Sequence, residues 1–474
     1  MPFRNFKCPS EVIGVVRHLQ QAGYQAVFAG GCVRDALLGR NPHDWDIATS
    51  ARPEEVEALF KKTFPVGKQF GIILVLGENG TPYEVASFRG ESTYSDGRHP
   101  DGIRYVGMQE DVKRRDFTVN ALLYDPIASE LLDFVGGESD MENGILRAVG
   151  NPNERFQEDK LRMLRAIRFA ANLGFRIDES TWQALCAQAS SVPSCVSQER
   201  IRDEIGKMLI NGASRKAFEL LESSGLLEFI LPELWAERGV EQPPQFHPEG
   251  DVWQHQLKML SELDETIRRI DKTPPDAERF DDECRLQRAS ADEILWLSWG
   301  ALLHDIGKPA TFSRGADRIH FNGHDVLGAE LATECLRRLR HSTETIDSAV
   351  YLVRHHMEAI QIPKARVARQ RRHFQHSLCP LLLEIVRLDS LASFGGLELQ
   401  KKLVELWRIE DAQPHPPKPM ISGKDLLQRG LHTGPMLGAV LQKCNDYELE
   451  HPFANREEAL IWLDESLRSG KLLN

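Results

Sequence analysis

The spacing of apolar residues divides the chain into a first part that contains strands and a longer part that is helical. Residues 10–150 alternate amphipathic helical patterns with short apolar runs, beginning with a helix over 11–21 that Ser10 caps. From about residue 137 onward, strand patterns disappear and long helical patterns replace them. The pattern therefore predicts an α/β head followed by a long, mainly α-helical remainder.

Five segments of the head have the length and composition that are typical of strands. They are residues 26–29, 45–48, 70–76, 83–88 and 131–134. The sequence Gly-Glu-Asn-Gly at 77–80 predicts a hairpin between the third and fourth of these strands.

Two glycines and two aspartates form the first candidate site. Gly30 and Gly31 follow the strand over 26–29, where the lack of a Cβ lets the backbone approach a phosphate at the start of a short helix. Asp44 and Asp46 lie two residues apart at the next strand, so their side chains are predicted on one face. Such a pair of carboxylates is what two divalent ions need for phosphoryl or nucleotidyl transfer.

Glu84 is the candidate for a third acidic member of this site. It lies between apolar neighbours on the strand over 83–88, where a carboxylate is costly unless it is paired or bound to a metal ion. A glutamate that faces water at the edge of the sheet is the alternative.

A cationic segment follows the long polar loop over 87–108. Beside a carboxylate metal site, Arg114 and Arg115 are interpreted as a triphosphate clamp, and Asp116 as a contact for a ribose hydroxyl. The charged start of an ordinary helix is the alternative interpretation.

A predicted helix over 154–173 carries Arg162, Arg165 and Arg168 on one side, a basic ridge that suits phosphates. Asp159 is three residues from Arg162, and an ordinary ion pair between them is the simpler interpretation of that spacing.

Histidine and aspartate residues on successive helices form a second candidate site. This combination suits one or two transition-metal ions in a helical bundle. The candidate ligands are His255, His304, Asp305, His324, His355 and Asp389.

Composition narrows the functional classes. The net charge of -12 argues against a surface that binds nucleic acid everywhere, so any such contact requires a local basic patch. Residues 364–376 are one candidate patch, with a solvated helix face as the alternative. The eight cysteines contain no Cys-x-x-Cys pair, which fits a reducing cytoplasm. Neither a signal peptide nor a membrane-spanning run is predicted.

Residues 1–235 resemble the class II CCA-adding tRNA nucleotidyltransferases of the nucleotidyltransferase and poly(A) polymerase superfamily. Residues 250–395 resemble the HD phosphohydrolases, with His304-Asp305 as the most specific part. The motifs of the first resemblance are Gly30-Gly31-x-Val33-Arg34-Asp35, Asp44-x-Asp46, Arg114-Arg115-Asp116-Phe117-Thr118-x-Asn120 and Arg155-Phe156-x-Glu158-Asp159-x-Leu161-Arg162.

The resemblance implies a head with a small mixed five-stranded sheet, then a helical neck, an HD body and a tail. The expected domains are 1–140, 141–240, 241–410 and 411–474. Residues 272–291 are expected to be a flexible insertion within the HD body.

For the site, the resemblance implies that Asp44 and Asp46 hold Mg²⁺ ions with Glu84 beside them. Glu158, Asp159 and Arg162 would then read the Watson–Crick edge of incoming CTP or ATP without a nucleic-acid template. The expected nucleotide-binding residues are Gly30, Gly31, Arg34, Arg114, Arg115, Asp116, Asn120, Glu158, Asp159, Arg162, Arg165 and Arg168.

The predicted activity is addition of CCA to the 3′ end of tRNA by a monomer or homodimer, with Ni²⁺, Mn²⁺ or Fe²⁺ at the HD site. A split-activity enzyme that adds only A or only CC is the first alternative. Poly(A) polymerase, or a hydrolase whose head only binds RNA, is less favoured. The loop over 87–100 is expected to help switch the site from CTP to ATP.

Overall fold

The computed structural model describes residues 8–42, 44–77, 80–90, 104–315, 318–393, 396–412 and 419–472. The chain divides into two compact units, the first formed by residues 1–208 and 216–232 and the second by 209–215 and 233–474. Residues 91–103, which contain most of the loop assigned to nucleotide switching, lie outside the described residues. In the part that is described, no helix is both long and apolar enough to cross a lipid bilayer.

The head contains a mixed sheet in which one parallel pair is surrounded by antiparallel pairs. The strands of the described residues, in chain order, are β1 Ala26–Ala29, β2 Asp46–Thr49, β3 Thr63–Phe64, β4 Ile72–Leu76, β5 Pro82–Ser87, β6 Arg89–Gly90, β7 Arg104–Tyr105, β8 Leu123–Asp125, β9 Glu130–Leu132, β10 Ile145–Leu146, β11 Arg176–Ile177, β12 Ser313–Arg314 and β13 Ile319–His320. Seven of them form the main sheet, and the other six form three separate pairs, β6–β7, β10–β11 and β12–β13. The order across the main sheet is β3-β4-β5-β2-β1-β8-β9, and only β2 and β5 run parallel.

The mixed α/β head and the helical remainder agree with the predicted fold class, but the main sheet has seven strands instead of five. The two strands that the sequence pattern missed are β3 and β8, of two and three residues. Segments this short cannot show an alternation of apolar and polar residues, so only their pairing partners reveal them.

Strand β1 is buried on both faces, which explains why its sequence is continuously apolar. On β1, Phe28 packs with Val16 of the first helix and with Ile47. Val27, the preceding residue on β1, packs on the opposite face with Phe88. This two-sided core holds the ends of β1, β2 and β5 in place.

Helices connect and cover these strands and then continue to the end of the chain. The first thirteen α-helical segments of the described chain are α1 Ser10–Gln21, α2 Gly31–Leu37, α3 Pro53–Leu59, α4 Met108–Lys113, α5 Gly137–Glu142, α6 Pro152–Glu158, α7 Leu161–Leu173, α8 Glu179–Gln188, α9 Val192–Cys195, α10 Gln198–Ile210, α11 Ser214–Ser223, α12 Leu226–Ile230 and α13 Pro232–Trp235. The single helix expected over 154–173 is wrong, because the chain is extended at Asp159 (φ -146°, ψ 106°) between α6 and α7.

The later helices belong to the second unit. They are α14 Val252–Ile270, α15 Ala291–Leu303, α16 Lys308–Thr311, α17 His324–Arg338, α18 Thr343–His355, α19 Val367–Gln375, α20 Cys379–Ala392, α21 Glu398–Asp411, α22 Gly423–Leu427, α23 Pro435–Glu450 and α24 Arg456–Arg468. The segment over 272–291 is packed rather than extended into solvent, since Phe280 and Leu286 form a backbone bridge and both side chains are buried.

The basic residues of α19 mostly contact protein groups, which argues against a free phosphate-binding patch there. Arg369 pairs with Glu358, and Arg372 lies 3.1 Å from Asp446 of α23. Arg371 donates to the carbonyl oxygen of Leu449 at 2.6 Å. These arginines therefore attach α19 to its neighbours.

One prediction concerns the close contact between Gly307, the residue before α16, and the start of α17. A Cβ added at Gly307 would lie 2.2 Å from the carbonyl oxygen of His324 and 2.8 Å from the amide nitrogen of Gly328. Because both atoms belong to the backbone, Gly307→Ala is expected to lower the free energy of unfolding by about 1–3 kcal/mol. The measurement is urea unfolding followed by circular dichroism.

Gly423→Ala is the control, since a Cβ there would meet no neighbouring atom within 4 Å. It should change the free energy of unfolding by less than about 0.5 kcal/mol. Equal unfolding midpoints for the two variants would contradict the tight contact at Gly307.

Candidate functional site

The three predicted carboxylates of the head lie around one cavity of about 940 Å³. Asp46 is the first residue of β2, and Glu84 is its direct partner in the parallel pairing with β5. Asp44 precedes β2 and lines the same cavity. The β2–β5 register therefore places Glu84 beside Asp46, as expected for a member of the site, rather than at an unpaired edge.

Desolvation and repulsion between neighbouring carboxylates raise the pKa of two of these groups. Asp46 is open to the cavity, yet surrounding protein partly desolvates it, and this effect together with the charge of Asp44 raises the pKa of Asp46. Burial and the charge of Asp46 likewise raise the pKa of Glu84. Divalent cations would relieve this repulsion, and carboxylate oxygens are suitable ligands for Mg²⁺.

The two glycines lie at the same cavity, just before α2. Gly30 has a φ of 75°, and a Cβ there would lie 3.2 Å from a guanidinium nitrogen of Arg115. A side chain at residue 30 would thus be strained and would crowd a predicted triphosphate contact. Gly30, which is buried, and Gly31 both line this cavity with backbone atoms alone.

A chain of hydrogen bonds connects Arg34, Asn120, Asp116 and Arg165. Arg34 Nη1 donates to Asn120 Oδ1 at 2.5 Å, and Asn120 Nδ2 donates to Asp116 Oδ1 at 3.1 Å. Arg165 pairs with Asp116 at 2.6 Å. Although burial raises it, the Arg165 guanidinium keeps the pKa of Asp116 below its ordinary value. Asp116 is therefore an ionised acceptor held in one orientation.

Asp111 orients both residues of the predicted clamp, and the sequence interpretation assigned it no role. Its side chain is 1% exposed and lies 2.6 Å from Arg114 and 3.1 Å from Arg115. The spacing of three and four residues along α4 was the available signal. The two guanidinium groups are thus fixed side by side at the cavity wall.

Glu158 and Asp159 have different partners. Glu158 accepts from Arg162 and pairs with Arg155, both at 2.5 Å. Asp159 pairs with Arg200 of α10 at 2.7 Å, so the predicted ion pair between Asp159 and Arg162 is replaced by these two contacts. No local pattern could have indicated Arg200, because it lies 41 residues from Asp159.

The basic ridge on α7 is neutralised by carboxylates rather than free for phosphates. Arg162 pairs with Glu158, Arg165 with Asp116, and Arg168 with Glu204 at 2.6 Å. All three arginines still line the cavity. Their partners therefore hold them in place at the cavity, and a phosphate contact of these arginines stays a prediction.

The second cluster lies among helices of the second unit, where His255 is on α14 and Asp389 on α20. Asp305 is central to it: its carboxylate oxygens lie 3.2 Å from Nε2 of His304 and 3.5 Å from Nε2 of His324. Nε2 of His255 is 3.8 Å from Asp305 and 3.2 Å from Asp389. Five of the six predicted ligands are thus brought together.

The sixth predicted ligand, His355, is wrong: the structure brings His356 to the cluster instead. His356 is buried, with Nε2 3.2 Å from Nε2 of His324. His355 turns away, with Nδ1 2.5 Å from Glu358, and its ring lies against Tyr351. Adjacent residues of a helix differ by about 100° in direction, so the dipeptide alone could not indicate which histidine faces inward.

The histidines of the cluster present Nε2 to one another because Nδ1 is engaged elsewhere. In His304, His324 and His356, Nδ1 lies 3.0, 2.8 and 2.7 Å from the carbonyl oxygen three residues earlier. A carbonyl oxygen only accepts, so we assign the proton to Nδ1, which leaves the Nε2 lone pair for a metal ion.

Two buried nitrogen atoms at this centre, Nε2 of His255 and Nε2 of His304, form no hydrogen bond of good geometry within the described residues. Oδ2 of Asp305 lies 2.6 Å from Nζ of Lys308, so an ion pair holds this carboxylate. Two groups of metal-ligating size share Asp305: one contains His255 and His304, the other His324 and His356. This donor set fits a transition-metal ion.

Comparisons with known proteins assign three parts of the chain. Residues 26–147 match the Poly A polymerase head domain, 174–238 the probable RNA and SrmB-binding site of polymerase A, and 277–393 the HD domain. One segment of the chain thus matches a poly(A) polymerase head and a later segment matches an HD domain. The resemblance of both parts is thereby confirmed.

Curated relatives match the head and the region after it. The CCA-adding enzyme of Bacillus velezensis is 44% identical over 219 residues, which is 46% of this chain and 54% of that protein. The CCA-adding enzyme of Enterococcus faecalis is 47% identical over 226 residues, 48% of this chain and 53% of that protein. The chain therefore spans about half the length of the curated relatives it matches.

Solved structures extend the likeness to the HD domain and beyond. The Bacillus stearothermophilus CCA-adding enzyme in complex with CTP has a TM-score of 0.70 and 27% identity, over 99% of this chain and 98% of that one. The Thermotoga maritima CCA-adding enzyme complexed with tRNA has a TM-score of 0.56 and 18% identity, over 98% and 97%, which shows the fold alone.

The assignment of His356, rather than His355, to the cluster leads to a prediction about metal binding. Adding Mn²⁺ or Ni²⁺ should raise the thermal midpoint of the wild-type protein, since ligand binding to the folded state stabilises it. His356→Ala should abolish most of this increase, whereas the matched variant His355→Ala should retain it. Equal increases in both variants, measured by differential scanning calorimetry, would refute the assignment.

Proposed function

We propose that this protein adds C and A nucleotides from CTP and ATP to the 3′ end of tRNA, by nucleotidyl transfer that depends on Mg²⁺. One observation carries the proposal: Asp44, Asp46 and Glu84 share a cavity with Asp159 and Arg162, the candidate base-reading residues. The likeness to CCA-adding enzymes of known sequence and structure supports it.

The carboxylates would hold the metal ions, and the glycines and arginines would hold the nucleotide. When bound, divalent ions activate the attacking hydroxyl and stabilise the charge on the leaving group. The 3′-hydroxyl of tRNA loses its proton to water, and its oxygen forms a bond to the α-phosphorus. The bond from the α-phosphorus to the oxygen that bridges it to the β-phosphorus breaks, and pyrophosphate leaves with that oxygen. Arg114 and Arg115, fixed by Asp111, are placed to bind the triphosphate.

Asp116 and Asn120 would position the sugar. Asp116 already receives hydrogen bonds from Asn120 and Arg165, which keep it ionised and correctly turned. A ribose hydroxyl that donates to Asp116 would therefore meet a fixed acceptor. In-line transfer depends mainly on such positioning and on charge neutralisation.

Base selection would rest on the break between α6 and α7. Arg162 offers donors and Asp159 offers acceptors, which is what the Watson–Crick edge of cytosine or adenine requires. Glu158 braces Arg162 and Arg200 braces Asp159, so the two readers are held independently. Nucleotide choice thus needs no nucleic-acid template.

The decisive test is to offer tRNAs that lack one, two or all three terminal CCA nucleotides with each labelled nucleotide and to measure the lengths added. Completion of CCA on every substrate is expected. Addition of A alone or of CC alone would establish a split-activity enzyme, and addition of long A tracts would establish a poly(A) polymerase.

Deleting residues 91–96 should slow A addition more than C addition if the loop over 87–100 has the proposed switching role.

Replacing a metal-binding carboxylate should stop this reaction. Asp44→Asn and Asp46→Asn are each expected to lower incorporation by about 10³-fold, because a metal-ion contribution of several kcal/mol is lost. Glu130→Gln, an exposed residue of β9, is the control. Activity near that of the control in either aspartate variant would overturn the metal assignment.

Arg200 should affect selectivity more than overall rate. Without its guanidinium, Asp159 loses a charged partner, and Arg200→Gln is expected to lower the preference for CTP and ATP over UTP and GTP by about tenfold. The measurement is kcat/KM for each nucleotide. Arg202→Gln, which removes a partner of Asp203 instead, should leave the preference unchanged. An equal loss in both variants would contradict the role of Arg200.

A second proposed function is metal-dependent phosphohydrolysis at the HD domain, with Ni²⁺, Mn²⁺ or Fe²⁺. The convergence of four histidine Nε2 atoms on Asp305 and its neighbours favours it. Terminal or 2′,3′-cyclic phosphates of damaged tRNA ends are the proposed substrates. Phosphate release with added Ni²⁺ or Mn²⁺ should be lost in His304→Ala. If this variant released phosphate as fast as the wild-type protein, the site would be excluded.

A further inference from the structure

The segment just before α14 carries a histidine and a glutamate that lie outside the expected set of HD ligands. Oε1 of Glu249 lies 2.8 Å from Nδ1 of His247 and 2.7 Å from Nδ1 of His255. One oxygen atom therefore accepts hydrogen bonds from two imidazole rings. The Glu249 side chain is only 6% exposed, so water competes little for this oxygen.

The two rings have different surroundings. His255 is fully buried, with its Nε2 directed to Asp389 and Asp305 of the metal cluster. His247 packs edge-on against His255, with ring centres 5.0 Å apart, and lines the cavity of about 600 Å³ that reaches Asp305 and His324. Glu249 thus connects a candidate metal ligand to a residue at the cavity wall.

Helix capping does not explain Glu249. Asp251 performs that task, since its Oδ1 accepts from the amide nitrogen of Gln254 at 2.8 Å. Gly250, with a φ of 129°, turns the chain between the two acidic residues. This turn lets Asp251 cap the helix while Glu249 contacts His247 and His255.

We propose that Glu249 is a positioning residue of the HD site, whose single oxygen orients His255 towards the metal and His247 towards a phosphate group in the cavity. The inference rests on the metal-dependent function proposed above. With Nδ1 of each ring donating to Glu249, Nε2 is the atom left for the metal in one case and for a phosphate oxygen in the other. A carboxylate behind a ligating imidazole fixes its tautomer and strengthens it as a donor.

The test measures binding of Mn²⁺ and then of inorganic phosphate by titration calorimetry on the full chain. In Glu249→Gln, Mn²⁺ affinity should fall by about 10–100-fold with unchanged stoichiometry, because the amide cannot accept as strongly from both rings. In His247→Ala, Mn²⁺ affinity should stay within about twofold, while phosphate binding to the Mn²⁺-loaded protein falls by at least about tenfold. Glu249→Gln should lose phosphate binding as well.

Glu241→Gln is the matched control, since Glu241 is exposed on the same segment and pairs with Arg314. If Glu249→Gln bound Mn²⁺ as tightly as the control, the positioning role would be refuted, while the proposed metal centre would remain supported. If Glu249→Gln bound one ion fewer per chain than the wild type, the positioning role would also be refuted, because Glu249 would then be a metal ligand. A wild-type protein without Mn²⁺ binding would overturn the metal centre itself. If Glu249→Gln failed to fold, unchanged phosphate binding in His247→Ala would still refute the inference.

Discussion

The register between β2 and β5 is the constraint on which the head depends, because it holds like charges together. The pairing of Asp46 with Glu84 across parallel strands places two carboxyl groups side by side. Desolvation raises the pKa of both, and the charge of Asp44 adds to the shift of Asp46 while the charge of Asp46 adds to that of Glu84. A shift of the register by one residue would turn Glu84 to the opposite face of the sheet. The apolar side chains on both faces prevent this shift, since it would also expose Val85 and Tyr83. The core therefore maintains an arrangement that electrostatics alone would disfavour.

Around this acidic centre, the arginines are arranged by carboxylates that do not themselves belong to it. Asp111 fixes Arg114 and Arg115, Asp116 fixes Arg165, and Glu158 fixes Arg162. Each pair loses its flexibility before a ligand arrives, so the entropy of ordering long side chains is not lost during binding. The same pairs neutralise most of the arginines around this cavity, which is consistent with a chain of net charge -12.

Sequence reasoning succeeded where a feature is local. The fold class and the Asp44–Asp46 pair depend on runs and spacings within a few residues, and the structure brings these two aspartates to one cavity. Sequence reasoning failed where the contacting residue is distant in the chain, or where the direction of a side chain depends on packing. Arg200 meets Asp159 only through the fold, and His356 rather than His355 faces inward because of how α18 packs. The strands β3 and β8 are too short to show a period, and the break at Asp159 has no proline or glycine to mark it.

The two sites differ in how they select an ion. In the head, three carboxylates at a wide cavity offer hard oxygen ligands with room for water and phosphate oxygens, which suits Mg²⁺. In the HD domain, buried imidazoles predominate, and hydrogen bonds at Nδ1 hold each ring before any metal arrives. Imidazole nitrogen favours transition metals over Mg²⁺. The two clusters therefore differ in donor type, with carboxylate oxygen in the head and mainly imidazole nitrogen in the HD domain.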